Sequence, residues 1–82
     1  MAKTFFPDRG KTISIKASPP HVDAEYIVSI GSEIWEDGAV PVIKVQMAYK
    51  GKISGRRSPS YPVGTDDYKR VNEAIETLIQ KQ

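Results

Sequence analysis

Residues Gly38 to Thr65 read GAVPVIKVQMAYKGKISGRRSPSYPVGT, and the way this stretch divides decides the fold. Its first part alternates with period two. Ile43, Val45, Met47 and Tyr49 fall on one face, and Lys44, Gln46, Ala48 and Lys50 on the other. That pattern predicts a half-buried strand over Val40 to Tyr49, with Pro41 at its start or turning its missing N–H outward. Lys50-Gly51 then predicts a tight turn, and Lys52-Ile53-Ser54 begins a short further strand. Gly55 to Gly64, punctuated by Pro59 and Pro62, reads as a surface loop. The whole stretch lacks Asp and Glu but carries Lys44, Lys50, Lys52, Arg56 and Arg57.

Toward the N-terminus, Glu36-Asp37-Gly38 is a hairpin signal, because Asp-Gly supplies a residue tolerant of φ > 0. Before it, Glu25 to Trp35 predicts another strand, with Tyr26, Val28, Ile30 and Ile34 in phase and Gly31 marking a bulge or bend. Trp35 is expected at the sheet edge or a dimer contact. Ser18-Pro19-Pro20-His21 interrupts pairing, since two prolines cannot donate to a ladder. Lys11 to Ser18 alternates as a first strand, with Ile13 and Ile15 on one face. Met1 to Gly10 reads as an N-terminal arm, and 11–82 as a single domain. In the arm, Phe5 and Phe6 suit core packing, a dimer seam or base stacking.

Toward the C-terminus, Thr65 is the expected N-cap, and Asp66 and Asp67 place negative charge at the positive pole of a helix. Val71, Ile75, Leu78 and Ile79 fall at i, i+4, i+7 and i+8, with Tyr68 and Ala74 extending the stripe toward Gln82. The expected class is α+β: a four-stranded antiparallel curved meander followed by one C-terminal helix, β-β-β-β-α. A single helix covers one side of such a sheet. The other side, expected to carry Lys44, Gln46 and Lys50, is left for solvent or a partner.

The chain has 82 residues, and one of this size buries only about 60% of its unfolded surface, so a homodimer is expected to add stability. It contains no cysteine, which excludes disulfides and thiolate metal sites and makes a reducing cytoplasm the expected location. No apolar run approaches the roughly 20 residues that a membrane helix needs, so no membrane partner is expected. The opening residues lack a secretory pattern. Charge is unevenly placed. Up to Pro41 four Lys or Arg face six Asp or Glu, a balance of −2; from Val42 onward eight face four, a balance of +4. That asymmetry predicts a basic patch for an anionic partner.

Catalysis is not expected. His21 is the sole histidine, and Asp23 and Glu25 would be its nearest companions for a metal, so no metal or cofactor is predicted. Ser54, Ser58 and Ser60 have no adjacent base. Binding of single-stranded nucleic acid has the better physical case, because it needs a basic groove for phosphates and aromatic faces for bases. Lys44, Lys50, Lys52, Arg56 and Arg57 supply the charge and Gln46 a polar contact, while Tyr61, between Ser60 and Pro62, is the candidate for stacking. Tyr49 belongs by phase with the core.

The run Trp35-Glu36-Asp37-Gly38-Ala39-Val40-Pro41, followed by Lys44-Val45-Gln46, resembles the positive cofactor four family of transcriptional coactivators and its small bacterial relatives. The β-β-β-β-α order and the Thr65-Asp66-Asp67-Tyr68 helix start are similar too, so the likeness extends over roughly Tyr26 to Leu78. It implies a homodimeric, transcription-associated factor that grips single-stranded DNA on curved sheets. Two departures stand out. Lys44-Val45-Gln46 stands where that family has Asp-Ile-Arg, and its basic run before the helix has no clear match, since Gly55-Arg56-Arg57-Ser58 is basic but lies farther from the cap. The alternative from another class is a small protein-interaction or structural module, docking through the Gly55–Gly64 loop or an exposed strand edge.

Overall fold

The structure, a computed structural model, describes residues 4–81. Four strands, β1 (Phe5–Lys16), β2 (Ala24–Trp35), β3 (Gly38–Tyr49) and β4 (Lys52–Ser54), are followed by one helix, α1 (Asp67–Gln80). The strands pair antiparallel in chain order as one open curved sheet, so the α+β meander expected from the sequence is the architecture observed. No described helix is long and apolar enough to cross a membrane.

Turn chemistry sets the hairpins. Lys50 and Gly51 both have positive φ, +53° and +80°, and join Tyr49 to its partner Lys52. These are the values of a type I′ turn, whose twist matches the strands it links. At the other end Glu36 and Asp37 connect Trp35 to Gly38, and Gly38 takes φ +121°. With these turns in place the β2–β3 register aligns Tyr26 with Met47 and Val28 with Val45; β1 adds Ile15 and Ile13 to the same rows. Two apolar rows therefore cross three strands on one face, and α1 lies over them.

β1 departs from the expected arm. It begins at Phe5 instead of Lys11, and Ile34 N–H donates to the Thr4 carbonyl at 2.9 Å. Continuity is kept by a register break between Pro7 and Thr12, opposite Gly31 and Ser29, with Gly10 at φ +76°. The irregularity thus sits on β1 and not at Gly31, where a bulge was expected. Gly31 has a different role: a Cβ there would lie 2.2 Å from the Phe6 carbonyl oxygen and 2.7 Å from Pro7 Cα. Backbone passes directly over it.

The helix also differs in phase. Asp67, Val71, Ala74 and Leu78 form the buried line, Ile75 is half-buried, and Tyr68 and Ile79 point largely to solvent. The expected stripe was rotated because the helix approaches the sheet through small Ala74 instead of Ile79. Asp66 holds the N-cap position without a side-chain cap bond; Thr65, one residue earlier, donates its hydroxyl to the Pro62 carbonyl at 2.7 Å and accepts a long bond from the Asp67 amide at 3.4 Å.

Gly31→Ala is expected to destabilise the protein by roughly 1–3 kcal/mol, as overpacking does, with hydrogen exchange accelerated first at the Ile34 amide paired to Thr4. Leu78→Ala, at a fully covered position, is expected to cost roughly 2–5 kcal/mol in a denaturant titration.

Candidate nucleic-acid interface

The sheet face away from α1 is electrically mixed. Thr12, Ser29 and Lys44 form one row across it, Ser14, Ile27 and Gln46 the next, and Lys16, Glu25, Ala48 and Ile53 a third. Lys44 Nζ lies 2.6 Å from Glu33 Oε2, an ion pair with both side chains partly covered. Its ammonium also stands 5.3 Å from the centroid of the Phe5 ring. Lys50, expected on this face, instead occupies the β3–β4 turn and borders a cleft shared with Lys16, Asp23 and Glu25. Positive charge does not accumulate on the open face itself.

It accumulates at the sheet margin. β4 pairs only with Met47 to Tyr49, so β3 from Gly38 to Gln46 has no strand on its outer side among the described residues. The chain leaves β4 at Ser54 and passes this vacant slot as the basic loop. A groove of about 330 Å³ separates Phe5, Lys44, Val45 and Gln46 from residues 54–59, which include Arg56 and Arg57. A second groove of about 630 Å³ runs between residues 20–22 and Tyr49, with Arg57, Ser58 and Ser60. The two grooves share Arg57 and Ser58, and no Asp or Glu lines either. Among the described residues Lys50, Lys52, Arg56 and Arg57 form no ion pair.

The aromatic positions sort differently from the expectation. Tyr61 packs against the core, 5.2 Å from the Tyr26 ring and 5.9 Å from that of Tyr68. Burial, and then Tyr68, push its phenol pKa upward. Tyr49 is half-buried at the wall of the second groove, and the Arg57 guanidinium stands 5.0 Å from its ring centroid, within cation–π range. Lys52 is Tyr49's cross-strand partner. The structure therefore brings together Lys44, Gln46, Arg56 and Arg57, and leaves Lys50, Lys52 and Tyr61 outside the lining of both grooves. His21 joins the second groove. Its Nε2 lies 2.8 Å from the Ser60 carbonyl, and because a carbonyl only accepts, that nitrogen carries the proton.

The loop is anchored by a buried cluster that sequence reasoning assigned to the helix dipole. Asp67 is fully covered. Its carboxylate accepts from the Ser18 amide at 2.9 Å, the Ser18 hydroxyl, the Tyr26 hydroxyl at 2.7 Å and Arg70 Nη2 at 2.6 Å. Burial works to raise its pKa, but the Ser18, Tyr26 and Arg70 bonds outweigh it and hold the carboxyl well below the usual range. Burial and the bond to Asp67 push the Tyr26 phenol upward in turn. The Tyr26 hydroxyl also lies 2.9 Å from the Ser60 carbonyl, so its single proton is shared between that carbonyl and Asp67, and the His21 Nε2–H supplies the loop's far end with a donor of its own. The signal was available: Asp67 stands four residues before Val71, on the buried line.

Among the described residues no group of three or more His, Asp or Glu side chains is arranged to hold a metal ion. No protein-family model, curated protein or solved structure matches the chain.

Since the Asp67 pKa is lowered on folding, its stabilisation is complete above the unfolded value of about 3.9 and is lost as pH falls through that value toward the folded one. The melting temperature is expected to drop below about pH 4, and more steeply in the natural protein than in Asp67→Asn. At neutral pH Asp67→Ala is expected to cost roughly 2–4 kcal/mol, because the Ser18 amide and hydroxyl and the Tyr26 hydroxyl lose their buried acceptor while Arg70 keeps Asp66.

Proposed function

We propose that the protein binds single-stranded nucleic acid, DNA or RNA, along the margin of β3. The observation that carries this reading is the pair of adjoining grooves that share Arg57 and Ser58 and contain no carboxylate. A nucleic-acid strand needs a continuous cationic path with aromatic faces beside it. Lys44, Arg56 and Arg57 line the two grooves, with Phe5 as the aromatic side chain of one and Tyr49 of the other. The basic residues outside ion pairs are free to replace the counterions that phosphates hold. The role is binding instead of catalysis, in a transcription-associated setting like that of the positive cofactor four family, which the sequence around Trp35 to Gln46 resembles. Absence of cysteine favours a reducing cytoplasm.

The vacant outer edge of β3 supports a second reading. Ala39, Pro41, Ile43 and Val45 alternate along it, and Ile43, on the same face as Val45 and Met47, is substantially exposed. An added strand from another polypeptide, a second copy of this chain included, would bond to this edge through backbone groups. Binding of that kind is nearly insensitive to salt.

Fluorescence anisotropy with a short labelled oligonucleotide at two salt concentrations separates the readings. In the proposed mode log K falls with log salt, and Arg56→Ala with Arg57→Ala flattens that slope by about 1.4, two single-strand phosphate contacts. The thermal midpoint is expected to stay near that of the natural protein, since both side chains are exposed. Binding that ignores salt, or an unchanged slope in the double variant, removes the loop from the site.

A further inference from the structure

The groove beside Val45 has the character of a base-reading site, and the geometry points to it as the place where one adenine nucleotide of a bound strand is selected, with Gln46 as the specificity-determining residue. This rests on the nucleic-acid reading above and adds a base preference to it. Gln46 projects from β3 on the face away from α1, aligned with Ile27. It is half-covered, and its carboxamide finds no hydrogen-bond partner among the described residues. A carboxamide without a partner offers one donor and one acceptor side by side; adenine matches that pair on both its Watson–Crick and its Hoogsteen edge, and its larger ring system covers more of an aromatic wall than cytosine or thymine does.

The surroundings fit a single nucleotide. A volume of about 330 Å³ lies at the lower end of the ~300–1,000 Å³ typical of small-molecule sites. Phe5 supplies an aromatic wall and Lys44 stands over its ring. Arg56 and Arg57 line the opposite wall, where the phosphates on either side of the base would lie. The Val45 backbone adds to the site. Lys50 N–H bonds inward to Asp23 on the β2 side, so even-numbered residues of β3 face β2 and odd-numbered ones face the vacant slot. The Val45 N–H and C=O thus open toward the groove.

Anisotropy with labelled homopolymers of deoxyadenosine, deoxycytidine and thymidine tests the site. The natural protein is expected to bind oligo-deoxyadenosine at least roughly fivefold more tightly than the others. Gln46→Ala, and the equally sized Gln46→Glu, are expected to erase that preference, and Gln46→Ala to leave the salt slope unaltered. Arg56→Ala is expected to do the reverse: a flatter slope with the preference retained. Circular dichroism melts of each variant establish that it is folded. Equal affinities for the three homopolymers, or a preference surviving in folded Gln46→Ala, overturn the adenine site while salt-dependent binding keeps the broader proposal standing. No binding to any homopolymer overturns both.

Discussion

A buried carboxylate holds this small molecule together at the point where its parts would otherwise separate. Asp67 sits at the first turn of α1 yet receives hydrogen bonds from Ser18, after the end of β1, and from Tyr26 in the middle of the core. Taking such a charge out of water costs several kcal/mol. Arg70 offsets this with its charge, and it binds the Lys16 carbonyl and the Ser18 hydroxyl as well. The helix is therefore docked by polar geometry at one end and by Val71, Ala74 and Leu78 along its length. Apolar contact alone would let the helix rotate on the sheet; the carboxylate fixes its angle.

The same cluster governs the basic loop. Ser60 is held by Tyr26 and His21, and Tyr61 is seated between Tyr26 and Tyr68. The loop's start is fixed at Ser54 by pairing with Met47. Arg56 and Arg57 lie between two anchored ends, so their charge is held at the margin of β3 without ion pairs to constrain the side chains. Charge is sorted accordingly. Lys44 is balanced by Glu33 and Arg70 by Asp66 and Asp67, whereas the arginines of the loop face open grooves.

The meander was legible because period-two alternation and the Lys50-Gly51 turn are local signals. Val45 and Met47 had only one way to face once the turn was set. The start of β1 was not legible. Phe5-Phe6-Pro7 carries no alternation, and its pairing depends on Gly31, far along the chain, leaving room for Phe6 and Pro7 backbone. Helix phase failed for a related reason: Ile75 and Ile79 satisfied the periodic rule as well as Ala74 did, and only the approach of the sheet chose between them. At the site, composition located the cations but not their partners. Nothing near Lys44 in sequence announces Glu33, and the position of Tyr61 between Ser60 and Pro62 gives no hint that Tyr26 and Tyr68 enclose it.

The shortness of β4 links the two readings of function. Had β4 continued past Ser54, it would have filled the slot beside Val45 and Ile43, closing the sheet edge and removing the groove at once. Because it stops, the same vacancy offers backbone groups to an added strand and cationic walls to a polyanion. A strand laid along β3 would need to enter the space beside Val45, with Arg56 and Arg57 at its flank. An occupant of one kind therefore excludes the other over this part of the margin, and a peptide that docks there would have to displace bound nucleic acid. The unfilled ladder is thus the structural origin of both possibilities, and competition between them follows from their sharing it.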